Sequence, residues 1–280
     1  MLLRRNFLKF FYSTVEQGAN FEKRIFLLNK EGKKISFWND IPLKESSFQK
    51  DEFNICIEIP QHRIAKLELT KEEEFHPIKQ DTRKNKFNKS ETELRYYAQF
   101  PLFNYGFFPQ TWESSLEKTP EGFLVNYDNQ FRVDNLISIQ IKKGDDDPLD
   151  ILELGDMDKQ PGQILKVKVL GCFCLIDQGE VDWKVLSINS TEAEKKNIQS
   201  LKDIERVYGG RLDAIKHWFK YIKTYDGKKA NVIHYDEKIF DHEKALEIIH
   251  ETHDYWKQLS NKTPAKNEEL NEKKKKFHFI

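Results

Sequence analysis

Residues 143–155 read KGDDDPLDILELG, with four aspartates (Asp145, Asp146, Asp147 and Asp150) within six residues and then an apolar run typical of a β-strand. Adjacent carboxylates repel one another in a folded site unless cations neutralise them. Pro148 restricts its own φ and so stiffens the turn just before the strand. Because Mg²⁺ prefers carboxylate and phosphate oxygens, the stretch is either part of a magnesium site or a solvated acidic turn.

The composition is that of a folded chain without net charge. Its 280 residues can bury a sizeable core as one large domain or two small ones, and 13% of them are aromatic. Lys and Arg number 46, as do Asp and Glu, so the formal net charge is zero. This balance argues against nucleic acid as the main partner. No apolar run approaches the roughly 18 residues that would predict a membrane span.

The three cysteines, Cys56, Cys172 and Cys174, show no paired spacing. Disulfide frameworks and zinc sites both depend on such spacing. We therefore predict that all three are reduced residues of the core.

Residues 1–15 form a basic segment that precedes the first acidic residue, Glu16. Its apolar residues recur at helical spacing: Leu3, Phe7, Phe10 and Phe11. Such a segment lacks the long apolar centre of a secretory signal and is typical of a mitochondrial presequence. The sequence thus predicts a mitochondrial, matrix location, and the alternative is an ordinary first helix.

From Phe21 to Ile188 short apolar or alternating runs are separated by turn residues, which predicts a series of β-strands. The predicted strands are Arg24–Leu28, Ile35–Trp38, Phe53–Ile59, Arg63–Leu69, Leu124–Asp128, Leu136–Ile141, Gln163–Gly171, Cys172–Ile176 and Trp183–Ile188. Residues 70–98 are highly charged and weakly periodic, so we expect a loop there, and residues 104–112 predict a packed loop or short strand. Successive short strands favour a barrel or sandwich over a parallel sheet.

Helices are expected after the strands. Ser200 can cap a helix over residues 201–207, which Gly209 and Gly210 end, and a second follows over residues 212–219. Asp241 can cap a third, from His242 to Leu259, whose apolar face includes His253 as a packing residue. The polar, lysine-rich tail of residues 261–280 predicts disorder unless a partner holds it.

A second acidic stretch, from Asp177 to Lys184, lies between two predicted strands. If neighbouring strands end at both acidic turns, their carboxylates converge on one rim: Asp145, Asp147, Asp150, Asp177 and Asp182. Converging carboxylates need divalent cations, and lysines supply point charges suited to phosphate oxygens: Lys66, Lys184 and Lys223. Together they predict a site for phosphoryl transfer or phosphate hydrolysis.

The acidic stretch resembles the Asp-x-Asp-Pro-x-Asp signature of soluble family I inorganic pyrophosphatases. The resemblance covers most of residues 16–260, and its leading strands and Asp40–Leu43 resemble the eukaryotic branch. Further matching segments are 57–60, 65–72, 77–82, 104–112, 175–185, 226–228 and 251–257.

The resemblance implies a mainly β fold with some helices. Its core is a five-stranded, OB-like β-barrel with extra N-terminal strands and flanking C-terminal helices. It also implies Mg²⁺-dependent hydrolysis of pyrophosphate to two phosphates by a domain at residues 16–260.

The resemblance further assigns roles to individual residues. Asp145, Asp150 and Asp182 hold the principal metal ion. Asp177 joins Asp182 on a further Mg²⁺, Glu68 serves an outer metal site, and Asp147 accepts a proton from the attacking water. Four more residues bind phosphate oxygens: Lys66, Tyr105, Lys184 and Lys223.

Three positions depart from the family pattern on the phosphate side. Residues 85–90 lack the family's arginine, and Arg95 is out of register. A family tyrosine falls on Pro101, and another is replaced by Ile222, with Tyr221 one residue away. An arginine that binds phosphate with two hydrogen bonds is not replaced by asparagine. The metal half of the site is therefore expected to be complete and the phosphate half eroded.

Two functions remain open from the sequence. One is a mitochondrial inorganic pyrophosphatase that acts as a free homodimer or monomer. The alternative is a pyrophosphatase-derived structural subunit of a larger mitochondrial assembly, joined through the N- and C-terminal extensions, with little or no turnover. A nucleic-acid-binding barrel is disfavoured by the zero net charge and the acidic rim.

Overall fold

The computed structural model describes residues 12–117, 144–156 and 159–279. The predicted strands Leu124–Asp128 and Leu136–Ile141 lie outside these ranges, as does most of the predicted N-terminal helix. In the described part of the chain, no helix combines the length and apolar character needed to cross a membrane.

Strands predominate in the chain. They are β1 (Ser13–Gln17), β2 (Arg24–Leu28), β3 (Lys34–Ile35), β4 (Glu52–Ile59), β5 (Leu67–Leu69), β6 (Ile78–Gln80), β7 (Thr82–Lys84), β8 (Thr92–Leu94), β9 (Asn104–Phe107), β10 (Asp150–Glu153), β11 (Ile164–Asp177), β12 (Glu180–Asn189), β13 (Val232–Ile233) and β14 (Phe240–Asp241). The helical segments are α1 (Ser190–Lys196), α2 (Leu201–Val207), α3 (Arg211–Tyr221), the single turn α4 (His234–Glu237), α5 (His242–Ser260) and α6 (Glu268–Lys276).

Five strands close into a barrel in the order β4, β9, β10, β12, β11 and back to β4. Every neighbouring pair in this ring is antiparallel except β10 and β12, which run parallel. Closure removes the free edges that an open sheet exposes. The barrel and the mainly β class expected from the resemblance are confirmed, and the N-terminal strands β1, β2, β3, β5 and β6 form a second sheet beside it.

Helices cover the barrel on two sides. Helix α5 begins at its cap residue Asp241, as predicted, and packs Leu246 and Ile249 against barrel residues that include Phe53. Helices α2 and α3 cover another cluster, and Ser200 and Asp203 form the predicted N-terminal cap of α2. The three cysteines are buried and free, as predicted: Cys56, Cys172 and Cys174. His253 is a packing residue, as predicted, because its ring stacks on the Trp256 ring.

The prediction of a loop at residues 70–98 is wrong, because strands β6, β7 and β8 lie there. Strands β7 and β8 form a hairpin in which Arg83 is opposite Glu93, with the Arg83 Nε atom 2.8 Å from a Glu93 oxygen. Arg83 and Glu93 form one charged pair across the strands, and the other facing pairs are Thr82 with Leu94 and Lys84 with Thr92. The hairpin therefore lacks the apolar alternation by which strands are recognised. In the neighbouring segment, only Leu67–Leu69 of the predicted strand Arg63–Leu69 is regular.

The two strands predicted on either side of Gly171 are one continuous strand, β11. Gly171 does not mark a turn. A Cβ atom at this position would lie 2.3 Å from the Phe240 carbonyl oxygen, so only glycine lets β14 approach β11 this closely. The register of β11 against β12 shifts at this point, between Val169 and Gly171.

Both ends of the described chain are structured. Residues 13–15, which the sequence assigns to the presequence, lie in β1 and pair with β2. The tail, for which disorder was predicted, forms helix α6, capped by Asn267 and buried through Leu270 and Phe277. Lys274 is buried as well. Its ammonium group offsets the cost of burial by donating to the Asn261 and Thr263 carbonyls at 2.6 and 2.9 Å. A few buried residues thus hold a helix whose composition is otherwise that of a disordered segment.

Candidate active site

A cavity of about 470 Å³ lies between the barrel, strand β5 and helix α3. Its wall contains every residue that the sequence predicted for the site: Glu68, Lys66, Tyr105, Asp145, Asp147, Asp150, Asp177, Asp182, Lys184 and Lys223. The structure therefore brings the two acidic turns and the predicted lysines together, although they are far apart in sequence.

Strand register positions the centre of this cavity. The parallel pairing of β10 and β12 places Asp150 opposite Lys184, and Asp182 lies two residues before Lys184, on the same face of β12. Asp177 ends β11, where Gln178 and Gly179 both have positive φ and form the tight turn into β12. A single hairpin thus carries Asp177 and Asp182 to the cavity.

Lys184 is the cation at the centre of the site. Its ammonium group forms ion pairs with Asp150 and Asp182, and it lies 3.0 Å from the Tyr105 hydroxyl oxygen. Tyr105 in turn donates its hydroxyl to Asp150. Burial alone lowers the pKa of Lys184, but the facing carboxylates of Asp150 and Asp182 outweigh it, so the net shift raises this pKa. Lys184 therefore keeps its positive charge although only 2% of its side chain is exposed.

The acidic residues around Lys184 outnumber it. Burial raises the pKa of Asp145, Asp150 and Asp182, and repulsion between the carboxylates adds to the effect. For Asp182 the pKa rises to about 7. Without a metal ion, the cluster thus holds bound protons near neutral pH, which a divalent cation would displace.

Glu113 is a further member of this cluster, and the sequence does not predict it. It is buried, and carboxylate oxygens of Glu113, Asp145 and Asp182 lie within 4.8 Å of one another. One Glu113 oxygen accepts the Trp183 backbone N–H at 3.0 Å. Burial, followed by the charges of Asp145 and Asp182, raises its pKa well above the ordinary value. Nothing in the local sequence marks Glu113, because it follows an aromatic turn with no acidic neighbour.

The carboxylate set fits a divalent cation. The second Glu113 oxygen and Asp177 Oδ1 are buried and accept no hydrogen bond from the described residues. Buried carboxylate oxygens without a donor are costly, and a hard cation satisfies them. Asp145, Asp150 and Asp182, which the sequence predicts as the principal metal ligands, also line this cavity.

Further lysines pair with the remaining carboxylates. Lys223 pairs with Asp177, Lys66 pairs with Glu68, and Lys71, which was not predicted, pairs with Asp147. Burial lowers the pKa of Lys66 but the charges of Glu68 and other neighbours outweigh this, so its pKa is raised. Each of these lysines lines the cavity, so its ammonium group could bind the oxygens of a polyphosphate there.

Arg95, which is out of register with the family pattern in the sequence, lines the cavity together with Tyr97. The Arg95 guanidinium lies 2.9 Å from Asp81 Oδ2, at its Nη1 atom. Burial raises the pKa of Tyr97 to about 12, so its hydroxyl stays protonated and can donate. Arg95 directly follows the β7–β8 hairpin, which returns the chain to the cavity. Pro101 and Tyr221 do not line the cavity, whereas Ile222 does.

The family model for inorganic pyrophosphatase matches residues 55–257. The chain is 38% identical over 255 residues to the inorganic pyrophosphatase of Zygosaccharomyces bailii, covering 89% of this chain and 79% of that protein. It is 36% identical over 258 residues to the inorganic pyrophosphatase of Homo sapiens, covering 90% and 80%. The solved inorganic pyrophosphatase of Schistosoma japonicum superposes with a TM-score of 0.76 at 33% identity, covering 90% of this chain and 83% of that one.

Proposed function

The chain belongs to the inorganic pyrophosphatase family, and from this premise we propose that it hydrolyses pyrophosphate to two phosphates with Mg²⁺ as cofactor. The observation that carries the proposal is a single cavity in which buried carboxylates face lysines. Carboxylates suit a hard cation, and lysines suit the phosphate oxygens that the cation does not reach.

The acidic residues divide into metal ligands and a proton acceptor. Asp145, Asp150 and Asp182 are the groups that would hold the ion, with Asp177 beside them and Glu68 farther out. Bound Mg²⁺ would lower the pKa of an attacking water and offset the charge of the substrate. Asp147 is the suitable proton acceptor, because it lines the cavity and 51% of its side chain remains exposed to water.

The cationic residues would position the substrate. Lys66, Lys184 and Lys223 each lie beside a carboxylate and can bind phosphate oxygens once that carboxylate has a metal partner. Tyr105 donates within the same group, and Arg95 adds a planar guanidinium suited to two parallel hydrogen bonds. These residues restrain the substrate and stabilise the departing phosphate.

The proposal is tested by phosphate release from pyrophosphate with Mg²⁺ present. We expect turnover by the unmodified protein, loss of it with a chelator, and recovery when Mg²⁺ is added back. Asp147→Asn should lower the turnover number by about 100-fold or more, as expected for loss of a general base. Asp213→Asn is the matched control, because Asp213 is an exposed helix residue paired with Lys216. Turnover by Asp147→Asn equal to that of the control would contradict the assignment.

The alternative of a structural subunit rests on the departures at the phosphate side of the site and on the structured N- and C-terminal segments. Arg95 and Tyr97 supply a guanidinium and a phenol to the same cavity, so we favour the enzyme. Absence of phosphate release from the purified protein, together with migration only in a large complex in cell extract, would support the subunit instead.

We also propose that the protein is mitochondrial, on the basis of the basic, amphipathic pattern of residues 1–15. Fractionation of cells that express the full chain should recover it with mitochondria. A variant with Arg4, Arg5 and Lys9 changed to glutamate should remain outside them. Equal distribution of the two proteins would contradict the proposal.

A further inference from the structure

We propose that Lys273 of helix α6 is a positioning residue for the acidic turn, residues 144–148, and through it for Asp147. The inference rests on the proposed hydrolysis for its catalytic consequence and on the contacts of α6 for its structural part. Lys273 lies outside the cavity and forms an ion pair with Asp146, 127 residues away in the chain.

Asp146 differs from its two neighbours in the direction of its side chain. Asp145 and Asp147 line the cavity, whereas Asp146 does not. Its backbone has φ +69°, in the left-handed region, and its carboxylate accepts from the Ser115 hydroxyl at 2.9 and 3.0 Å as well as from Lys273. The Lys273 contact therefore holds the middle carboxylate away from the cavity while the flanking two face it.

The backbone of the acidic turn is fixed against the segment that carries Glu113. The Asp146 N–H donates to the Glu113 carbonyl at 2.9 Å, and the Glu113 N–H donates to the Asp147 carbonyl at 2.8 Å. A Cβ atom at Gly144 would lie 2.2 Å from the same Glu113 carbonyl oxygen, which shows how closely the two segments approach. A backbone rotation at Asp146 that followed loss of the Lys273 contact would disturb these hydrogen bonds and so displace Asp147.

Helix α6 can act as a fixed support because its C-terminal end is anchored in the core. Phe277 is fully buried and packs edge-on against Trp38, with ring centroids 5.9 Å apart. The Phe277 carbonyl lies 3.1 Å from His76 Nε2. The Lys71 ammonium group lies 5.5 Å from the centre of the Phe277 ring and donates to the Asp146 carbonyl at 2.8 Å. The same end of the chain thus contacts the acidic turn by two routes.

Charge gives the ion pair a second role. The turn carries three consecutive carboxylates, but only those of Asp145 and Asp147 face the cavity. Lys273 neutralises the Asp146 carboxylate, which would otherwise add to the repulsion within the turn. Without the Lys273 cation, the partly buried Asp146 carboxylate would be more stable if it turned toward water or toward a metal ion.

The test compares Lys273→Met with Lys276→Met, a control on the same helix whose lysine pairs with exposed Glu72 at 3.3 Å and does not contact the turn. The first readout is amide hydrogen exchange of the peptide covering residues 144–150 in the metal-free protein. We expect about 10-fold faster exchange in Lys273→Met and no change in Lys276→Met, with unchanged exchange in the barrel strands. This readout does not depend on catalysis.

The second readout separates kcat from KM for the magnesium pyrophosphate substrate. Lys273→Met should lower kcat about 10-fold or more, because a small displacement of a reacting group has a large effect on rate, while KM changes less than about 2-fold. Lys273→Arg, which keeps the charge, should recover most of the lost kcat.

Equal exchange and equal kcat in Lys273→Met and Lys276→Met would overturn the inference. So would a loss of kcat that Lys273→Arg does not recover. If the unmodified protein releases no phosphate, the proposed function fails, while the exchange measurement still decides whether Lys273 holds the turn.

Discussion

The Lys184 ammonium nitrogen lies 3.0 Å from the Tyr105 hydroxyl oxygen, and both groups contact the same Asp150 carboxylate. The hydroxyl donates to Asp150, so its oxygen is free to accept from Lys184. Burial raises the pKa of Tyr105 well above its ordinary value, and the phenol stays protonated in this arrangement. Tyr105 thus restrains both Lys184 and Asp150. Without it, a bound phosphate would draw Lys184 away and a bound metal ion would draw Asp150 away.

Lys184→Met should remove both activity and stability. The substitution leaves Asp150 and Asp182 buried without their cation, which typically costs about 3 to 5 kcal/mol in the free energy of unfolding. We expect turnover to fall by about 100-fold or more and the metal-free protein to unfold at lower urea concentration. Lys216→Met, which breaks an exposed pair with Asp213, is the control and should change neither measurement. A stable Lys184→Met protein would mean that the pair is not essential to the fold.

Arg95→Met should chiefly weaken substrate binding. Loss of a charge-assisted hydrogen bond is worth about 1.5 to 3 kcal/mol, which corresponds to a rise in KM of about 10- to 100-fold. Arg83→Met is a matched control, because Arg83 also pairs with Asp226 but does not line the cavity. Steady-state kinetics would distinguish the two. A similar KM in both variants would remove Arg95 from the substrate-binding residues.

Metal binding should release protons, and the release should be larger at pH 6 than at pH 8. The pKa of Asp182 rises to about 7 in the metal-free folded protein, so at pH 6 the carboxyl still holds a proton that a cation must displace. Titration calorimetry of Mg²⁺ binding in buffers of different ionisation enthalpy measures this number directly. Proton release that does not vary with pH would contradict the assignment.

The stability of the metal-free protein should fall as pH rises from about 4 to about 7. Across this window the folded state binds more protons than the unfolded chain, because the pKa of Asp182 is raised on folding and an unfolded aspartate has already ionised. Urea denaturation at several pH values measures the slope. Saturating Mg²⁺ should reverse its sign, since the ion binds the ionised carboxylates of the folded state.

Glu113→Gln should stabilise the metal-free protein at pH 8 while weakening Mg²⁺ binding about 10-fold or more. Burial raises the pKa of Glu113, so folding at pH 8 carries the cost of burying a carboxyl group that is ionised in the unfolded chain, and the variant removes this cost. Its side-chain oxygen can still accept the Trp183 N–H. Glu153→Gln is the contrasting control. Glu153 is buried outside the cavity, and both its oxygens accept from N–H donors of Asn104, Gly155 and Asn189. An amide nitrogen in its place would face a donor, so the variant should destabilise the fold and leave Mg²⁺ affinity unchanged. Unaltered Mg²⁺ affinity in Glu113→Gln would exclude Glu113 from the metal-binding cluster.

The apolar strands predicted a barrel or a sandwich, and the resemblance of the conspicuous acidic turn to a known family selected the five-stranded barrel. Asp150 and Lys184 meet through strand register, which follows once β10 and β12 are known to be neighbours. Arg95 could not be placed in this way, because its position depends on the β7–β8 hairpin, which lacks the apolar alternation by which strands are recognised. Glu113 could not be predicted, because only the tertiary structure brings its carboxylate close to those of Asp145 and Asp182.

The tail failed as a prediction for a different reason. Charged residues dominate the composition of residues 261–280, which is why the segment resembles a disordered tail. Only a few residues decide whether it forms a packed helix. Phe277 and Leu270 bury enough apolar surface to hold α6, and the Lys274 ammonium group finds two carbonyls. Position along a helix, rather than composition, decides whether such a segment packs.

The contact between Lys273 and Asp146 also bears on the order in which the chain folds. The hairpin of β11 and β12 joins residues close in sequence, whereas Lys273 and Asp146 are separated by 127 residues. Contacts between distant residues carry a larger loop-closure entropy and tend to slow folding. During refolding the β11–β12 hairpin is therefore expected to form before α6 docks, and competence for turnover should follow as a separate, slower phase.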